Sequence, residues 1–245
     1  MGNLICPKLL CGFFVFLALV CLTKQQDEGF VSNVFQFFSD KVNNRLMEHI
    51  TMRHNVELAY KAYVAYFDRA DVDLPGFKKL FQQLEKDAHD RALSLTSYIN
   101  SRGGRVRFPV VKLSEACKYI HQYTDKRKSE EKTQPCICYF QFQDSTNKVN
   151  IDDYCEENWR LQSGLQGVKE ALALERSVNN DLIILVGLAI SQNDPHSKIT
   201  IEHVMDQQIE TIKKLADLLD KLQGYQQDQE GYSLGEYLVD NEIKK

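Results

Sequence analysis

Residues 75–101 read PGFKKLFQQLEKDAHDRALSLTSYINS, and Phe77, Phe81, Leu84, Ala88, Ala92, Leu95 and Ile99 recur through them at three- and four-residue intervals. That spacing puts the apolar positions on one face of a helix, so the stretch predicts an amphipathic helix burying a stripe against a core. Pro75 suits its first turn, where a fixed φ is already helical and the missing N–H is not needed. The same period recurs in three more windows. Residues 33–68 carry Leu46, Ile50, Tyr60, Val64 and Phe67; 157–191 carry Leu161, Leu165, Val168, Leu172, Leu182 and Val186; 196–223 carry Ile201, Val204, Ile212, Leu215, Leu219 and Leu222. Asn193-Asp194-Pro195 separates the last two windows, because Pro cannot continue a helix and Asp194 can cap the next one. A short fifth helix is predicted after Gly235, through Glu236-Tyr237-Leu238-Val239.

The connections set the topology. The links 69–74 and 191–194 are short and make antiparallel hairpins. Between the hairpins lies 102–156, a long crossover with a charge run from Asp125 to Lys132 and an alternating Tyr139-Phe140-Gln141-Phe142 that suggests a short strand. Two antiparallel helical hairpins joined by one long crossover make an all-α, ferritin-like four-helix bundle.

Composition agrees. With 43% hydrophobic and 26% charged residues among 245, the chain is globular, and 12 Gly and 5 Pro are too few for a turn-rich all-β design. A net charge of −4 with interspersed cations gives no basic face for nucleic acid. Lys8 precedes an apolar run from Leu9 to Leu22, then polar Thr23-Lys24-Gln25-Gln26, which is the layout of a secretory signal peptide, taken as residues 1–24. The run is short for a membrane span, and no other window is apolar for long enough, so no stable span is expected in the mature chain. Cys117, Cys136, Cys138 and Cys155 all fall in the crossover; in an oxidising compartment they suggest two disulfides, with the pairing open. A secreted or lumenal location follows. The organisation expected is the leader, a first hairpin (33–101), a cysteine-bearing insert (102–156) and a second hairpin with the fifth helix (157–245).

Several ordered stretches carry a family resemblance. Tyr66-Phe67-Asp68-Arg69 with Asp71-Val72, and Asn100-Ser101-Arg102-Gly103-Gly104-Arg105, resemble the most recognisable parts of ferritin subunits. Ser163-Gly164-Leu165, Ala171-Leu172 with Leu174-Glu175, Asn193-Asp194-Pro195-His196, Gln208 with Ile212-Lys213, and Gly235-Glu236-Tyr237-Leu238 add to the set. The resemblance implies a hollow cage of twenty-four subunits that stores iron, taken up as Fe(II) and held as a ferric mineral.

A di-iron centre in such a bundle uses inward carboxylates and a Glu-x-x-His pair. Glu175 falls in step with Val168 and Leu172 and matches a family iron ligand; Gln208 and Tyr60 match family positions beside the metals. Seven residues before Tyr60, however, the carboxylate position is Arg53, and the Glu-x-x-His pair is replaced by Ala88-His89-Asp90-Arg91. Arg53 or Arg91 is expected to pair with Glu175. The resemblance therefore implies a subunit of the light-chain type, lacking the oxidation centre and assembling with ferroxidase-competent subunits. The alternative is an active ferroxidase rebuilt from Glu175, Tyr60 and Gln208 with Glu57 or His89. A secreted four-helix signalling protein is a third class, because fold alone does not fix function.

By the same resemblance, Asp87 and Asp90, with Glu85, match acidic positions for mineral nucleation. Asp194 and His196 match the start of the segment lining three-fold channels, with Glu202 as a candidate channel acid. The insert, longer than the family's crossover, resembles the cysteine-bearing extensions of secreted ferritins.

Overall fold

The computed structural model describes residues 33–34, 37–107, 110–124, 152–225 and 229–245; the leader 1–24, the charge run and Tyr139–Phe142 lie outside them. Six helices follow in order: α1 (Asp40–Phe67), α2 (Pro75–Ser101), α3 (Leu113–Thr124), α4 (Asp152–Ser191), α5 (Pro195–Gly224) and α6 (Gln229–Lys244), with no strand among the described residues. α1, α2, α4 and α5 form the expected four-helix bundle; α6 is the fifth helix, but it begins at Gln229 and carries Gly235 inside it instead of starting after that residue.

Side-chain pairs fix the directions. Along α1 and α4, Ser39 meets Gln192, His49 meets Asp181, Tyr60 meets Glu175 and Tyr63 meets Glu170, so rising numbers on one match falling numbers on the other. Along α2 and α5, Arg91 meets Gln208 and Tyr98 meets Ser197 in the same opposed sense. Each hairpin is antiparallel, so α2 and α4 run parallel, and the chain leaving α2 must travel back along the bundle. A helix of 27 residues is about 40 Å long, which is why the connection is a long crossover and not a tight turn.

Local chemistry explains where helices begin and end. Ser39 caps α1, its hydroxyl accepting from the Lys41 N–H at 3.2 Å, so the helix starts inside the predicted window. α2 has no side-chain cap of its own; Asp240 of α6 accepts from the Phe77 N–H at 2.9 Å and supplies one. At its other end Gly103 takes φ 78°, and the Gly104 N–H closes back on the Ile99 carbonyl at 2.9 Å. A Cβ on Gly104 would stand 2.7 Å from Ile99 Cγ2 and 2.9 Å from Phe38 Cε1, so the Gly-Gly pair is required by both conformation and space. Asp194 caps α5 as expected, accepting from the Ser197 N–H at 3.0 Å.

α3 was not anticipated. It lies within the crossover and packs on α4 and α1, with Leu113, Ala116, Cys117 and Ile120 all buried. Asn55 of α1 accepts from the Lys112 N–H at 2.8 Å, and Ser177 of α4 donates to the Tyr119 carbonyl at 2.8 Å, pinning both ends. α6 is held by Gly164 and Leu165 of α4, whose N–H groups donate to Glu236 Oε1 and to Tyr232 Oη.

Candidate functional site

All four long helices contribute side chains to a buried centre. Arg53 stands two turns before Tyr60 on α1, Arg91 one turn after Ala88 on α2, and Glu175 and Gln208 fall on the inward stripes of α4 and α5. Arg53, Tyr60 and Gln208 are completely buried, Ala88 and Glu175 nearly so.

Glu175 is fully engaged. Its Oε1 accepts from Tyr60 Oη at 2.6 Å, while its Oε2 accepts from Gln208 Nε2 and lies 3.8 Å from Arg53 Nη1. That last contact is a charge pair without a hydrogen bond. Gln208 Nε2 also donates to the Glu175 carbonyl at 3.0 Å, and its Oε1 accepts from Arg53 Nη2 at 2.8 Å and Arg91 Nη1 at 3.1 Å. Arg91 Nη2 donates to Thr211 Oγ1 at 2.9 Å. Of the two arginines expected to pair with Glu175, Arg53 does so; Arg91 goes to the far side of Gln208.

Behind Arg53 stands a second layer that the sequence reading missed. Arg53 Nε donates to His49 Nε2 at 3.3 Å, and His49 Nδ1 lies 2.7 Å from Asp181 Oδ2, a carboxylate also held by Arg45. Burial pushes His49 down to about 4, with the Arg53 and Arg45 charges adding to it against Asp181. The imidazole is therefore neutral at pH 7. Because Nε2 receives the Arg53 proton, Nδ1 carries the ring's own proton and donates it to Asp181. Arg53 is pushed down to about 10 by burial, opposed by Glu175, and stays a cation. Tyr60 is held far above its ordinary value, first by burial and then by Glu175, so it stays a donor. The position of His49, one turn before Arg53 on the same face, was the available signal.

This donor set does not fit a pair of metal ions. One carboxylate, one phenol and one amide face two guanidinium groups. At about 4 Å and an effective dielectric of roughly 20, each guanidinium opposes each unit of metal charge by about 4 kcal/mol before screening.

The comparisons with known proteins give the family. A family model described as Ferritin-like domain matches residues 43–225. The chain belongs to the ferritin family. It is similar to the yolk ferritin of Lymnaea stagnalis, at 33% identity over 228 residues covering 90% of this chain and 93% of that one. The soma ferritin of the same snail is 27% identical over 86% of this chain and 95% of its own. A ferritin heavy chain of Echinococcus granulosus is 28% identical, over 86% and 96% respectively. Iron binding and storage in a multisubunit assembly go with membership, and the signalling alternative falls away. No described helix is long and apolar enough to cross a membrane.

Against the ferritin positions named from sequence, the structure distributes the residues as follows. Glu175, Gln208 and Tyr60 converge, as described. Glu57 and His89 do not reach them: Glu57 binds Lys61 at 2.7 Å and His54 at 2.9 Å, with His89 at 3.4 Å. Asp87 accepts from Gln83 at 2.7 Å and Asp90 pairs with Lys86 along one side of α2. Glu85 points elsewhere, toward Lys61 at 3.7 Å. Asp194 is buried and bound to Ser197 and to Arg102, at 3.1 Å; burial raises its carboxyl, but those bonds outweigh it and hold it low. His196 is exposed, and Glu202 pairs with Lys198 at 2.8 Å. Cys117 is buried on α3; Cys136, Cys138 and the Cys155 side chain lie outside the described residues.

Proposed function

We propose that this chain is a catalytically silent ferritin subunit. It contributes to the wall and cavity of a twenty-four-subunit cage, while ferroxidase-competent subunits oxidise Fe(II) to the ferric state. The observation that carries this reading is the Arg53 guanidinium, completely buried between Glu175 and Gln208 where a carboxylate ligand would stand. Displacing it would leave a buried charge without its partner, which costs about 3–5 kcal/mol. A rebuilt oxidation site is disfavoured because Glu57 and His89 are engaged with His54 and Lys61, away from Glu175.

Assembly is supported by apolar side chains that a lone chain leaves in water, including Ile183, Ile184, Ile209 and Leu238. Asp87 and Asp90 are the acids offered for mineral nucleation, and the exposed His196 with Glu202 for an iron-entry channel. The leader directs the chain into the secretory pathway, and Cys117, Cys136, Cys138 and Cys155 form disulfides there.

The test is the initial rate of Fe(II) oxidation in air by the purified mature chain against a no-protein control. A rate at background is the expected result. A rate well above background that disappears in Glu175→Ala would overturn the proposal.

A further inference from the structure

One turn along α1 from Arg53, on a different face, stands a cluster that the storage function does not use. His54 and Glu57 are three residues apart on α1, and His89 approaches from α2. Glu57 Oε2 lies 2.9 Å from His54 Nδ1 and 3.4 Å from His89 Nδ1. One ligand atom from each of the three residues falls within 4.8 Å of the other two. The imidazole rings stand 6.3 Å apart, inclined at 67°.

We infer that His54, Glu57 and His89 form a mononuclear site for a divalent transition-metal ion, separate from the centre around Glu175. A tetrahedral ion with ligands at about 2.0–2.1 Å holds its ligand atoms roughly 3.3 Å apart, close to the 2.9 and 3.4 Å that separate Glu57 Oε2 from the two imidazoles. Side-chain rotation closes the difference. Two imidazoles and one carboxylate select zinc-, cobalt-, copper- or iron-type ions over magnesium and calcium, which take oxygen donors. Three protein ligands leave a fourth position for water.

The surroundings accommodate the ion's charge. Lys61 binds the other oxygen of Glu57, Oε1, leaving Oε2 to the imidazoles. Lys61 is half exposed and already lies 3.7 Å from Glu85, so it has a second carboxylate to move to when a cation arrives. His54 and Glu57 are mostly covered, at 23% and 10% side-chain exposure, whereas His89 at 46% opens the cluster to solvent.

The experiment titrates Co²⁺ into the full assembled protein and follows visible ligand-field absorption. Cages bind metal ions in several places, so the quantity read is the difference between wild type and variant. Wild type is expected to take up one more Co²⁺ per chain than His54→Ala/His89→Ala, with a visible band that Zn²⁺ displaces. His89→Ala alone changes a half-exposed residue, and removing a direct ligand should weaken that site by at least the roughly 10–100-fold that loss of an outer-shell partner costs. Arg53→Ala should leave the band in place. Equal stoichiometry and identical spectra in wild type and in His89→Ala would overturn the inference and assign the cluster to ordinary hydrogen bonding.

Discussion

Glu57 and Glu175 are both largely buried carboxylates in the same bundle, on neighbouring helices, and their surroundings are opposite. Glu175 is enclosed by a phenol, an amide and a guanidinium that cannot give up its proton. Glu57 faces two imidazoles, whose Nδ1 protons a metal ion can displace, and a lysine that can swing away. The difference comes from adjacent residues. Arg53 and His54 are separated by about 100° around α1, so one fills the centre and the other points to the outer cluster. On the proposed reading, capacity for metal at these two places follows from which side chain occupies each turn of the same helix.

The strongest way to break the comparison is to reverse the Glu175 side. Arg53→Glu, Ala88→Glu and Arg91→His together replace the guanidiniums and the methyl by two carboxylates and an imidazole. Fe(II) oxidation by the assembled variant should rise above the parent by more than roughly tenfold, about 1.4 kcal/mol of barrier. A rate still at background would show that something other than the arginines silences the centre.

Arg53→Ala tests the same side without rebuilding it. Glu175 then loses its cation while staying buried, so denaturant unfolding should register a loss of about 3–5 kcal/mol.

The layer behind Arg53 gives a pH signature. His49 titrates near 4 folded against 6.5 unfolded, so between those values the unfolded chain binds more protons. Stability from this residue is complete above about pH 6.5 and is lost as the pH falls toward 4. Relative to His49→Gln, wild type should lose about 3 kcal/mol across that window, measured by unfolding at successive pH values.

The smallest effect belongs to the Glu57 side. Lys61 is half exposed, so Lys61→Ala should cost no more than about 1 kcal/mol in unfolding. A loss as large as that of Arg53→Ala would make the two carboxylates equivalent and remove the contrast.

Much of this was legible in the chain. The stripe from Phe77 to Ile99 located α2 to the residue, because Pro75 and Gly103 punctuate a helix whose every third or fourth side chain is apolar. Arg53, Ala88 and Arg91 stood out as replacements through the resemblance to ferritin subunits, and helical spacing then placed them on inward faces. α3 was missed although Leu113, Ala116, Cys117 and Ile120 keep a helical period; twelve residues give a weak signal when half the turns carry charges and cysteines.

What the sequence determined by itself is the four long helices and their hairpin order, consequences of period and local capping, while the replaced ligand positions were read from the family resemblance. Only the tertiary structure decided that Arg53 and not Arg91 reaches Glu175, that Asp240 caps a helix far from it in sequence, and that His89 meets His54 and Glu57. Those outcomes depend on rotamers and on the distance between helices. Periodicity sets a residue's direction around its own axis but not what stands opposite.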